Sequence, residues 1–249
     1  MSCNKCNEIF QLENSPSKLY WMSEIDELTN KGKLFLSELG VSMNENSGIS
    51  FIEIDDTKSF FEENHGLITK NFTMQECEAI RIHIQKEGEE FSFHSILGAK
   101  TLHRYLNLID DSVFFDIINN GSLTSYFQPI IKASDRTIYG YEALIRGVKE
   151  NGDLMFPDVL FEKSARNDMN FKLDRMCRES ALKTAAVKKI TQKVFINFLP
   201  TAIYDPEFCL SSTVKWAKQL EFDPKNIIFE VVETESVKDK KHLLKILNY

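Results

Sequence analysis

The sequence predicts an α/β fold with parallel strands, preceded by an α+β region. Three observations carry this. Beyond about residue 120, short runs of β-branched and aromatic residues alternate with helical stretches, as SYFQPIIK, TIYGYEALIR, KVFINFL and IIFEVV do. The first hundred or so residues lack that rhythm and mix helical stripes with an isolated strand signal. Asn119-Asn120-Gly121 separates the two regimes, giving regions 1–118 and 119–249.

In the first region, Leu19, Met22, Ile25, Leu28, Phe35 and Leu39 approximate a helical stripe, interrupted by Asn30 and Gly32. ISFIEI, Ile49 to Ile54, reads as a strand with Ile49, Phe51 and Ile54 facing inward. Thr73-Met-Gln-Glu76 has the form of a capping box. It is expected to open a helix reaching about Gln85 and carrying Cys77, Ile80 and His83. Asp111-Ser112 caps a further helix over Val113 to Ile118.

In the second region, Ser125 to Lys132 and Thr137 to Arg146 read as strands joined by a polar turn. Pro157 through Lys188 reads as two helices, Lys193 to Leu199 as a strand, and Ser211 to Leu220 as a helix. Ile227 to Val232 is a further strand. Ser236 caps a last helix with Leu243, Ile246 and Leu247 on one face. These strand–helix units are too few to close an eight-stranded barrel.

Composition narrows the function classes. The 249 residues are 43% apolar and 27% charged, with a net charge of -7. That balance suits a folded domain and argues against wrapping DNA or RNA, whose binding needs a basic footprint. It leaves room for a small anionic ligand. No apolar run approaches the ~20 residues of a membrane span, and the polar start MSCNKCNEIF lacks a secretory pattern. A cytoplasmic location is expected. Five scattered cysteines do not form a disulfide framework, and Cys177 and Cys209 lie in apolar-periodic stretches as buried thiols.

The chemistry sits in polar residues set within apolar strands. Glu142 follows Ile138, Tyr139 and Tyr141; Asn197 interrupts VFINFL; Glu230 interrupts IIFEVV. A carboxylate in a buried strand is costly unless it is paired or binds a cation. Carboxylate and amide oxygens are hard donors suited to magnesium, manganese or calcium.

Phe127-Gln128-Pro129-Ile130, Tyr141-Glu142-Ala143-Leu144-Ile145-Arg146, Ile196-Asn197-Phe198 and Phe229-Glu230-Val231-Val232-Glu233 stand in order along the chain. Together they resemble the landmarks of the EAL domain over about residues 120–249, the first half of that domain. The resemblance implies the first half of a (β/α)8 TIM-like barrel. It also implies a phosphodiesterase that opens cyclic di-GMP to pGpG with two Mg2+ or Mn2+ ions. By position it makes Glu142, Asn197 and Glu230 metal ligands, Arg146 a phosphate contact, and Gln128 and Leu144 pocket residues. Glu233 resembles a glutamate that props a catalytic loop. A homodimer through this domain is a further expectation.

The family pattern continues beyond these landmarks with an aspartate pair, a lysine, a general-base glutamate and a late glutamine. The 249 residues do not contain them, so a portion of an active enzyme is expected, itself unable to hydrolyse the dinucleotide and poorly behaved in isolation. The alternative is a catalytically silent relative that binds a nucleotide or a protein. The first region resembles no family and is expected to be regulatory or a structural extension.

Other motifs carry less. Cys3 and Cys6 have ligand spacing, but Cys77 and His83, six apart on an expected helix, make poor partners, so terminal free thiols are the reading. Neither a nucleophile elbow nor a Gly-rich phosphate loop occurs. The lysines around Lys240 form a solvated helix face.

Overall fold

The computed structural model describes residues 12, 14–46, 48–231 and 240–248. The chain divides into two compact units, with the boundary between Ser112 and Val113.

In the first unit, β1 (Ser17–Met22) leads into α1 (Asp26–Glu38). Then come β2 (Asn44–Asn46), β3 (Ile49–Ile54), α2 (Thr57–Asn71), α3 (Met74–Ala79) and β4 (Arg81–Lys86). The unit ends with α4 (Phe93–Gly98), β5 (Lys100–Thr101) and α5 (Leu102–Asp110). The strands form one antiparallel sheet in the order β2-β3-β1-β4-β5. Leu19, Trp21, Leu36, Ile52, Phe61, Ile82 and Leu102 make its core. Gly32 lies in α1 where the helix crosses the Trp21 indole, and a Cβ there would collide with the ring nitrogen. The glycine that looked like a helix interruption is a close-packing site.

Two sequence expectations fail in this unit. The stripe beginning at Leu19 is strand up to Met22, and only Asp26–Glu38 is helix. β1 is the central strand, so Leu19, Tyr20 and Trp21 are all buried and the two-residue alternation is absent. The capping box at Thr73 and Glu76 forms as expected, but its helix stops at Ala79. Beyond it, Ile80, Ile82 and Ile84 alternate with Arg81, His83 and Gln85, a strand period that pairs with β1. Cys77 and His83 are therefore on different elements.

The boundary falls at the first residue of α6 (Ser112–Asn120), which the second unit continues with β6 (Leu123–Ile131), β7 (Ile138–Val148) and β8 (Leu154–Met155). α7 (Pro157–Arg166), α8 (Asn170–Val187), β9 (Lys193–Phe198), α9 (Pro206–Cys209) and α10 (Ser211–Gln219) follow. β10 (Ile227–Val231) and α11 (Lys240–Leu247) complete it. Ser236, the expected cap of the last helix, lies outside the described residues, as do Cys3 and Cys6.

The described strands run β10-β9-β7-β6, with β8 beside β7. β7, β9 and β10 are mutually parallel, as the α/β reading requires. β6 is antiparallel to β7, because only the short turn of residues 132–137 joins them. Asp135 builds that turn by accepting from the Thr137 amide and hydroxyl. The sheet is mixed and open.

One sheet face is dry. Ala143, Val194 and Ile196 pack under Ala181, Leu182 and Ala185 of α8, with Ala217 and Phe222 alongside. The alanines allow the helix to approach the strands closely. Gly140 serves the same end between strands: a Cβ there would lie 2.7 Å from the Lys193 carbonyl oxygen. Cys177 and Cys209 are buried free thiols, as their periodic setting suggests. No described helix is long and apolar enough to cross a membrane.

Candidate functional site

The other face of the second sheet carries the polar landmarks. Register pairs Gln128 with Glu142 across β6 and β7, Glu142 with Phe195 across β7 and β9, and Asn197 with Glu230 across β9 and β10. Cross-strand partners share a face, as do residues two apart on one strand. Gln128, Glu142, Leu144, Arg146, Asn197 and Glu230 therefore all belong to the face opposite the alanine-packed core. Ala143, Ile145 and Gly147 alternate with them into the buried layer.

Within that set the structure brings three together. The Asn197 side-chain amide donates to Glu142 Oε1 at 2.8 Å. Burial, and after it the like charge of Glu142, raises the Glu230 carboxyl above its ordinary value. Glu142, Asn197 and Glu230 thus sit within electrostatic reach on three adjacent parallel strands. Arg146 lies four residues along β7 from Glu142, and its Nη1 donates to the Ile145 carbonyl at 2.7 Å. Gln128 is exposed and Leu144 half-buried on the same face. Glu233 lies outside the described residues.

Two carboxylates and an amide offer oxygen donors only, and a divalent cation beside them would relieve the Glu142 repulsion that adds to burial in raising Glu230. The donor chemistry fits Mg2+ or Mn2+. Among the described residues, no three His, Cys, Asp or Glu side chains cluster as a metal site.

Sequence reasoning passed over four residues that shape the site. Asp174 and Arg178 form a fully buried ion pair one turn apart on α8. Asp174 Oδ1 accepts from the Leu199 amide at 2.9 Å, and Arg178 Nε donates to Thr213 Oγ1 at 3.1 Å. The pair pins the backbone two residues past Asn197. Its signal was an Asp and an Arg four apart, flanked by Leu173, Cys177 and Ala181 on a buried helix face. The other two, Tyr126 and Phe156, flank Arg146, with ring centroids 5.7 and 4.8 Å from its guanidinium carbon. Alternation with Gln128 places Tyr126 on this face; Phe156 arrives through β8 and has no such signal.

Hard-oxygen donors from three parallel strands and an arginine thus share one face of an α/β sheet. The EAL domain profile matches residues 113–248, more than half of the chain. The chain belongs to the EAL domain family.

Among its relatives, the probable cyclic di-GMP phosphodiesterase PdeG of Escherichia coli K12 is 23% identical over 160 residues, which cover 61% of this chain. The match spans only 31% of that relative's length. A standalone EAL protein from Vibrio cholerae O395, solved bound to c-di-GMP, is 40% identical over 51% of this chain and 52% of its own, with a TM-score of 0.44. An EAL domain protein from Listeria monocytogenes is 21% identical over 55% of this chain and 56% of its own, at a TM-score of 0.43.

Proposed function

We propose that this chain is part of a cyclic di-GMP phosphodiesterase that hydrolyses the dinucleotide to pGpG, with Glu142, Asn197 and Glu230 as ligands to Mg2+ or Mn2+. The observation that carries this reading is the meeting of those three side chains on one sheet face, the face that Arg146 shares by alternation along β7. Membership of the EAL family, and likeness to a relative described as a probable cyclic di-GMP phosphodiesterase, support it.

In this reading each residue has a distinct task. Glu142 and Glu230 bring the negative charge that holds divalent cations, and Asn197 orients Glu142 through its amide. Bound cations supply a water of lowered pKa and offset charge on the phosphoryl group. The Arg146 guanidinium presents a planar fork that matches phosphate oxygens. Gln128 offers an amide for hydrogen bonds to the ligand, Leu144 gives apolar contact in the pocket, and Glu233 props a loop.

The open sheet is then the first half of a (β/α)8 barrel within a domain over residues 119–249. Residues 1–118 form a regulatory module ahead of it. A cytoplasmic protein that pairs through its EAL domain completes the proposal.

A second reading draws on the same donors, which can hold a ligand without turning it over. In that case the protein is a silent relative that binds cyclic di-GMP, or a protein, without turnover. Product chromatography after incubation with cyclic di-GMP and Mn2+ separates the two. Formation of pGpG that disappears in Glu142→Ala supports catalysis. Saturable binding with no pGpG supports the silent reading, and turnover undiminished in Glu142→Ala removes Glu142 from the metal site.

A further inference from the structure

Arg146 is held in an unusual way for a cation. Among the described residues no carboxylate pairs with it; a backbone carbonyl and two aromatic rings lie against it. Its neighbours follow from register. Thr124 opposes Arg146 across β6 and Tyr126 opposes Leu144, so Tyr126 is diagonal to Arg146. On the other side Met155 opposes Gly147, and the next residue, Phe156, comes level with Arg146.

Both rings are half-exposed, Tyr126 at 54% and Phe156 at 51%. Neither is spent on the core. Phe156 also occupies the N-cap of α7 and makes no side-chain cap bond. A Ser, Thr, Asp or Asn is the favoured residue there, because its oxygen satisfies a free helix amide. An apolar ring at this position forgoes that gain.

Chemistry explains what the rings supply. A carboxylate would fix the guanidinium but neutralise it. Aromatic faces attract the cation through their quadrupole and leave its net charge intact. Arg146 is thus restrained on both sides while remaining available to an anion. We propose that Tyr126 and Phe156 are positioning residues that clamp Arg146 for an anionic phosphoryl ligand. The inference rests on the reading above that Arg146 meets the phosphate of the dinucleotide.

The test combines two readouts on the full chain. The first is the Arg146 side-chain Nε–Hε resonance in the ligand-free protein, assigned by its loss in Arg146→Ala. Ring currents from the clamp shift it upfield. Phe156→Leu and Tyr126→Leu each move it toward the free-arginine position, whereas Tyr126→Phe and Phe156→Tyr keep it. The second is cyclic di-GMP affinity, measured without added divalent cation so that hydrolysis does not intervene. Each leucine variant is expected to weaken binding about two- to fivefold, the scale of one exposed cation–π contact. The conservative variants bind as the wild type does. In an Arg146→Ala background the leucine substitutions have no further effect.

An Arg146 resonance that is unshifted, or unmoved by both leucine variants, overturns the clamp. So does a Phe156→Leu loss of affinity that persists undiminished in the Arg146→Ala background, which would mean that the ring acts on the ligand directly. If Arg146→Ala binds as tightly as the wild type, the phosphate role of Arg146 falls and the inference with it. The ring-current shift, which needs no ligand, tells that failure apart from failure of the clamp.

Discussion

Asn197 donates its side-chain amide to Glu142 across the β7–β9 pair at 2.8 Å, while Glu230 stands beside Asn197 in register on β10. The amide separates two acidic strands, and the acidic charge on either side of it is what a cation would neutralise.

Mg2+ or Mn2+ is therefore expected to raise the thermal midpoint of the protein, because ligand binding to the folded state stabilises it. Glu142→Gln should remove that response. The same substitution should raise the metal-free midpoint by about 1–3 °C, since it deletes a charge that opposes Glu230. Differential scanning fluorimetry with and without metal checks both. A metal response of wild-type size in Glu142→Gln would exclude Glu142 from the donor set.

Gly140 pairs with Lys193 across β7 and β9, and a Cβ there meets the Lys193 carbonyl oxygen at 2.7 Å. That neighbour is backbone and cannot swing aside. Gly140→Ala should destabilise the second unit by about 1–3 kcal/mol, the usual cost of overpacking. It should also weaken metal binding, because the strand shift separates Glu142 from Asn197. Denaturant unfolding and metal titration of the same variant measure the two effects.

Glu76 closes the capping box with Thr73, and Lys31 holds it at 2.6 Å. The Lys31 contact first, then the Thr73 backbone amide, lowers its pKa from 4.5. A carboxyl with a lowered folded pKa contributes stability above its unfolded pKa and loses it as pH falls through the folded value. Glu76→Gln should therefore cost about 0.5–1 kcal/mol at pH 7, modest because the pair is partly exposed. The difference from wild type should shrink as pH drops below the unfolded value of 4.5. Urea midpoints at pH 7 and pH 3 test this; an equal difference at both would rule out the ionised contact.

Burial pushes the Cys177 thiol up to about 12 and the Cys77 thiol up to about 11. The thiolate is the reactive form, so both should resist a thiol-specific reagent at pH 8. Peptide mapping after labelling should find Cys177 and Cys77 modified at least ~100-fold more slowly in the native protein than in denaturant. Rapid native labelling of Cys177 would contradict its burial on the inner face of α8.

Much of this site was legible because its residues lie on strands. The two-residue period that puts Glu142, Leu144 and Arg146 on one face is written in EALIR, and β9 repeats it. The misreadings have physical causes. Leu19, Tyr20 and Trp21 are buried on both faces of a central strand, so no alternation marked β1. At Thr73 a strong helix start was sound, but a cap fixes where a helix begins and says nothing of its length; Ile80, Ile82 and Ile84 decide that. Phe156 was out of reach because its approach to Arg146 depends on the β7–β8 pairing.

The last expectation concerns the Asp174–Arg178 pair, which lies far from any solvent and still carries two charges. Both charges have further partners: Asp174 meets Arg178 and the Leu199 amide, and Arg178 meets Asp174, Thr213 and the Cys209 carbonyl. Removing one partner leaves the other desolvated and unpaired, so Arg178→Met alone should cost about 3–5 kcal/mol. Replacing both, as in Asp174→Leu with Arg178→Met, should recover much of that loss, since two apolar groups no longer need each other. Recovery of stability need not restore the site. The double variant leaves the Leu199 amide without its acceptor, two residues past Asn197, and should still weaken metal binding. If the double variant matches wild type in both stability and metal response, the pair has no role in holding Asn197 in place.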